Sequence, residues 1–137
     1  MLVDDNPDDN FYHERVIKKN DPTNIVIAKQ TGMDALEYLR ARSDTKHTLH
    51  PDLILLDINM PGMNGWEFLD EYNKLDKQFK SQAVVVMLTN SVNPDDMAKA
   101  ELHNEVCEFK TKPLTNEMLN DIRNKYFTNS KETEGIQ

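Results

Sequence analysis

The sequence predicts an α/β domain, one parallel β-sheet covered by helices. Three observations carry this. A short apolar run followed by a stretch of helical period recurs five times, the alternation that builds parallel sheets. Leu53-Ile54-Leu55-Leu56 is uninterrupted apolar sequence, as in a central strand buried on both faces. The chain has 137 residues. That suits one core without disulfides or a structural metal, and leaves no room for a second folded domain.

The elements follow in order. Leu2-Val3 is the stub of a first strand, short for a full one. Asn6-Pro7 reads as an N-cap followed by proline at the first helical position. Tyr12 with Val16 and His13 with Ile17 make i, i+4 pairs on one side of this helix, which Asp21-Pro22 ends. Residues 25–28 are the second strand. A second helix starts near Gly32 and buries Ala35, Leu36 and Leu39. Residues 43–51 form a polar surface loop. The third strand ends at Asp57, and Pro61-Gly62-Met63-Asn64-Gly65 is dense turn chemistry. Phe68, Leu69, Tyr72 and Leu75 mark the third helix. Residues 83–88 are the fourth strand, ending at Thr89. Pro94 opens a weak fourth helix whose clear apolar positions are Met97, Ala98 and Leu102. Residues 106–109 are the fifth strand, followed by Lys112-Pro113. The fifth helix starts near Thr115, with Met118, Leu119, Ile122 and Tyr126 facing in. One domain over residues 1–127 and a frayed polar tail over 128–137 complete the expectation.

Composition excludes several classes. The net charge is -8 and the pI about 4.9. An acidic surface repels phosphate backbones, and no basic stripe or helix-turn-helix is visible, so direct nucleic-acid binding is not expected. The single cysteine, Cys107, cannot form an intrachain disulfide. It reads as a half-buried small apolar residue. No apolar run is long enough to span a membrane and no signal peptide is visible, so the expected location is cytoplasmic. The histidines His13, His47, His50 and His103 show no zinc spacing. Trp66 reads as packing.

The polar residues that follow the strands point to chemistry. Asp4-Asp5, Asp57, Thr89 and Lys112 come after strands one, three, four and five. In an open parallel sheet these positions share one edge, where such folds bind ligands. Carboxylates converging there repel by roughly 4 kcal/mol per pair at ~4 Å and an effective dielectric near 20. A hard cation such as Mg²⁺ relieves this, with oxygen ligands from carboxylates, water and phosphate. A carboxylate can attack phosphorus to give an acyl phosphate. A divalent cation, an ammonium and a hydroxyl donor stabilise the transferring group.

Asp4-Asp5, the run from Pro51-Asp52 through Asp57-Ile58-Asn59-Met60-Pro61-Gly62 to Asn64-Gly65, then Thr89 and Lys112-Pro113, together resemble the response-regulator receiver family. The resemblance covers residues 2–127. It implies a flavodoxin-like (CheY-like) fold, a five-stranded parallel sheet in the order 2-1-3-4-5 with helices on both faces. It implies that Asp57 is the phosphoacceptor. Asp57 would also be a ligand of Mg²⁺ (or Mn²⁺), Asp5 would bind it directly, Asp4 mainly through water, and the Asn59 carbonyl would complete the protein's share of the shell. Lys112 would pair with phosphoryl oxygens. Thr89 would swing toward the phosphoryl group, and Phe109 would turn inward with it, changing the surface of the fourth helix, fifth strand and fifth helix. The donor would be a sensor histidine kinase or a histidine phosphotransfer protein. The protein would be a signalling domain that assists its own phosphorylation and dephosphorylation, not an enzyme. With no output domain expected, the signal leaves through a downstream protein target, a homodimer or a further relay.

Some positions depart from the family pattern. Asn90 follows Thr89 where a small residue is common, and is large enough to hinder access to a phosphoryl group. Glu105-Val106 replaces a common Gly-Ala pair, with Asn104 able to supply a left-handed turn. Taken singly, Asp57 could be a cap, Lys112 a solvated lysine, Thr89 a strand end and Phe109 ordinary core; their ordered recurrence at strand ends argues otherwise. A haloacid-dehalogenase-type phosphohydrolase would carry Asp-x-Asp near its first strand and a cap domain. A flavodoxin would need a phosphate loop where Asp4-Asp5 stand. A degenerate receiver that only binds partners would fail to bind Mg²⁺.

Overall fold

Strand β3 (Leu53–Asp57) is the centre of the fold. In the computed structural model, which describes residues 1–41, 51–75, 83–90, 93–103 and 106–127, it lies between β1 (Leu2–Val3) and β4 (Val84–Thr89). The outer strands are β2 (Ala28–Lys29) and β5 (Val106–Thr111), giving the order β2-β1-β3-β4-β5 with every pairing parallel. The helices are α1 (Pro7–Asn20), α2 (Gly32–Ala41), α3 (Gly65–Asn73), α4 (Pro94–Leu102) and α5 (Asn116–Tyr126).

Strand alternation divides the core in two. Ile54 and Leu56 of β3 with Val85 and Met87 of β4 pack with Leu36 and Leu39 of α2 and Phe68, Leu69 and Tyr72 of α3. Leu55, Val86 and Leu88 face the other way, onto Leu119 and Ile122 of α5 and the half-buried Val16 and Ile17 of α1. The sheet is therefore covered on both sides, as its continuous apolar strands require.

Local chemistry sets the helix starts. The Asn6 side chain accepts from the backbone of Asp8 and Asp9 ahead of Pro7. Asn64 and Glu67 form a capping box at α3. Asn93 caps α4 with Pro94 at its first turn, and Thr115 caps α5. Gly62 takes a positive φ of 78°, a conformation that glycine adopts without steric cost.

Several expectations need correction. β2 covers Ala28–Lys29 rather than residues 25–28, because two-residue β1 offers a ladder only from Leu2↔Ala28 to Val3↔Lys29. β5 runs on past Phe109 to Thr111, because β4 pairs with it as far as Thr89. Tyr12 is exposed, and α1 instead buries Asn10 and His13. Met97 and Leu102 are 51% and 81% exposed, so the apolar positions read on α4 face outward and the residue it buries is Asp96. Cys107 is exposed. The β4–β5 ladder steps from Val85↔Val106 to Val86↔Glu108, so Cys107 is the unpaired residue of a bulge. The loop at 43–50, Asn104, Glu105, His47, His50 and the tail at 128–137 lie outside the described residues. Among the described residues no helix is long and apolar enough to cross a membrane.

Candidate functional site at the carboxyl edge of the sheet

The acidic residues converge as strand ends in a parallel sheet must. Asp4 follows β1 and Asp57 closes β3; they are 5% and 6% exposed, and Asp5 is half-buried. One carboxylate oxygen from each of Asp4, Asp5 and Asp57 lies within 4.8 Å of the others. Backbone contacts fix these positions. Asp4 N–H donates to Lys29 O at 3.0 Å. The Asn10 amide donates to Asp4 O at 2.9 Å, and Asn6 N–H donates to Asp4 Oδ1 at 3.0 Å. Gly65 lets α3 approach the same edge: a Cβ there would sit 2.6 Å from Asp57 O and 3.0 Å from Ile58 Cα.

Lys112 enters from the end of β5. Its Nζ lies 2.7 Å from Asp4 Oδ2, 2.9 Å from Asp9 Oδ2 and 3.6 Å from Asp57 Oδ1. Its backbone N–H donates to Thr89 O at 2.7 Å, which ties the ends of β4 and β5 together. Thr89 is fully buried. Asn59 is exposed two residues past Asp57, and its backbone N–H donates to the Asp57 carboxylate. Phe109 is half-buried against the α2–α3 side of the core, its ring 6.1 Å from that of Trp66. Asp4, Asp5, Asp57 and Lys112 are thus gathered in one place. Thr89 joins them through the backbone, and Phe109 lies on a neighbouring face of the sheet.

The electrostatics follow from this crowding. Burial, then the Asp4 charge, pushes the Asp57 carboxyl up to about 6, against the pull of Lys112. Burial opposes the Lys112 ammonium, but the hydrogen bonds it donates to Asp4 and Asp9 hold its pKa above the ordinary lysine range. Burial lowers His13, one turn beyond Asp9 on α1. Three carboxylates around one ammonium, with Asp5 beside two of them, leave net negative charge in a partly desolvated place. An all-oxygen donor set of this kind suits a hard divalent cation, so the residues fit Mg²⁺ or Mn²⁺.

Sequence reasoning missed Asp9. It is the third residue of α1, and helical side chains tilt toward the N-terminus. A carboxylate in the first turn of a helix that starts directly above the sheet edge therefore reaches back toward that edge. The spacing from Pro7 was the available signal. A cleft of about 490 Å³ lies at the opposite edge, between Ile17, Val26, Leu53, Leu119 and Ile122, and none of the acidic-site residues lines it.

A family model described as the response regulator receiver domain matches residues 1–123. The response regulator Rcp1 of Synechocystis sp. is 32% identical over 103 residues, 75% of this chain and 69% of that protein. A crystal structure of a two-component response regulator from Cytophaga hutchinsonii superposes with TM-score 0.82 at 32% identity, covering 93% of this chain and 94% of that one. The phosphorylated cyanobacterial phytochrome response regulator RcpA gives TM-score 0.72 at 29% identity, covering 93% and 89%. The fold and the acidic edge define a receiver domain of two-component signalling, and this chain belongs to the response regulator receiver family. It spans only 14% and 38% of the length of two further relatives, which are longer proteins.

Proposed function

We propose that this chain receives a phosphoryl group on Asp57 from a phosphohistidine of a sensor histidine kinase or a histidine phosphotransfer protein. The observation that carries the reading is the placement of Asp57: buried, within 4.8 Å of Asp4 and Asp5 ligand atoms, and 3.6 Å from the Lys112 ammonium. Asp57 with its neighbours Asp4 and Asp5, and the Asn59 carbonyl, would hold Mg²⁺ or Mn²⁺. Such a cation, when bound, neutralises charge on the transferring group.

A carboxylate oxygen of Asp57 attacks phosphorus, and the phosphorus–nitrogen bond of the donor breaks with its electron pair left on the imidazole. Lys112 offers its ammonium to the phosphoryl oxygens, a charge-assisted contact in a partly desolvated site. Thr89 supplies a hydroxyl at the end of β4. Its movement, followed by Phe109, would bias two states of the α4–β5–α5 surface, one of which a downstream protein or a second copy of the chain reads. The chain acts as a phosphoacceptor domain spanning residues 1–127, not as an enzyme with turnover.

The test uses acetyl phosphate with Mg²⁺ and the intact mass of the wild type and of Asp57→Ala. A gain of one phosphoryl group that needs Mg²⁺ and is absent in the variant supports the reading. No gain at any Mg²⁺ concentration points to a receiver that only binds partners. Continuous turnover of phosphate esters points to a hydrolase.

A further inference from the structure

We infer that Asp9 is a positioning residue for Lys112, holding its ammonium on the α1 side of the site and thereby slowing phosphoryl transfer to Asp57. This rests on Asp57 being the acceptor. Lys112 Nζ is within hydrogen-bond reach of Asp4 and Asp9, and 3.6 Å from Asp57. The Lys112 side chain is only 8% exposed, so its contacts are set by protein groups more than by water.

Asp4 and Asp9 differ in what ties them down. Asp4 is buried and bonded through Asn6, Asn10 and Lys29. Asp9 is 36% exposed and water can replace its lysine partner. An ammonium shared between two carboxylates attracts a third anionic group less strongly. A phosphoryl group arriving on Asp57 therefore draws Lys112 away from Asp9, the partner that releases it at lower cost. The same step loosens a link between the first turn of α1 and the segment after β5.

Asp8 provides an internal control. It occupies the same first turn, carries the same charge and is exposed, and its carboxylate is absent from the Lys112 ion-pair cluster. Phosphoryl gain from acetyl phosphate at saturating Mg²⁺ is timed by intact mass for wild type, Asp9→Asn, Asp9→Glu and Asp8→Asn. Asp9→Asn is expected to be about fivefold faster, the factor expected for one partly exposed ion pair. Asp8→Asn should stay within about twofold of wild type on the same reasoning, and Asp9→Glu should return toward the wild-type rate. A double-mutant cycle of Asp9→Asn with Lys112→Met, read by urea unfolding without phosphodonor, should show coupling between the two positions. Equal rates for Asp9→Asn and Asp8→Asn, a slower Asp9→Asn, or no coupling in the cycle overturns the proposal. If the wild type gains no phosphoryl group, the acceptor assignment fails and the proposal with it; coupling in the cycle would then still report the ion pair.

Discussion

The Lys112 ammonium stops 3.6 Å short of the Asp57 carboxylate, beyond ordinary hydrogen-bond distance. Asp57 is therefore a buried charge with weak compensation, and its carboxyl is pushed up to about 6 from 3.8, by burial first and Asp4 second. The folded value lies above the unfolded one, so the folded protein binds this proton more tightly. The stabilisation is complete below the unfolded value and is lost as pH rises through about 6. Asp57→Asn should therefore be more stable than wild type near neutral pH without divalent cations, by about 1–3 kcal/mol. Urea unfolding over a pH series checks this. The gap should close toward pH ~4 and on adding Mg²⁺.

Divalent cations should stabilise the wild type. Binding to the folded state alone contributes RT ln(1 + [L]/Kd), about 2.7 kcal/mol at a hundredfold excess over Kd. Thermal melts with Mg²⁺ and then a chelator measure it. Asp5→Asn, which removes one of the three clustered carboxylates, should abolish most of the rise while changing the melting temperature without Mg²⁺ much less.

Gly65 cannot accept a side chain without moving the site. The Cβ of Gly65→Ala would meet two backbone atoms, Asp57 O at 2.6 Å and Ile58 Cα at 3.0 Å, and neither is a flexible chain end. A loss of about 1–3 kcal/mol is expected. Phosphoryl gain should slow as well, since the strain falls on Asp57 itself. Denaturation and mass measurements on the same variant test both.

Trp66 Nε1 donates to Asp96 Oδ1 at 3.3 Å, joining α3 to α4 in a buried place. Asp96→Ala leaves that donor unpaired and should cost about 1–3 kcal/mol. Trp66 emission should change, since the indole also lies 5.2 Å from the His103 ring. Unchanged stability and emission would count against a working contact.

The sequence revealed what depends on period and order. Leu53 to Leu56 announced a central strand, and Asp4, Asp5, Asp57 and Lys112 announced a shared edge because each ends a strand in a parallel sheet. Less visible was whatever depends on three-dimensional neighbours. Met97 and Leu102 looked like a core face, yet α4 is held by the polar pair of Asp96 and Trp66 and by His103 near Asp70. Lys110 and Thr111 add nothing to the apolar run that marks the strand, because an edge strand tolerates polar residues wherever its neighbour supplies the ladder. Asp9 was hidden because its role comes from where a helix begins in space. Cys107 was misjudged because a bulge, which periodicity cannot show, turns it outward.

That bulge has a longer reach. Beyond it, Phe109 faces Trp66, while Glu108 and Lys110 face Asp121 and Lys125 of α5. The two sides of β5 carry different cargo, an aromatic on one and a charge lattice on the other, and a single unpaired residue sets which goes where. Deleting it would shift the strand's phase by one, sending the aromatic toward the lattice and the charges toward the core. The strand thus works like a key whose teeth are cut on both edges, and its phase decides which lock each edge meets.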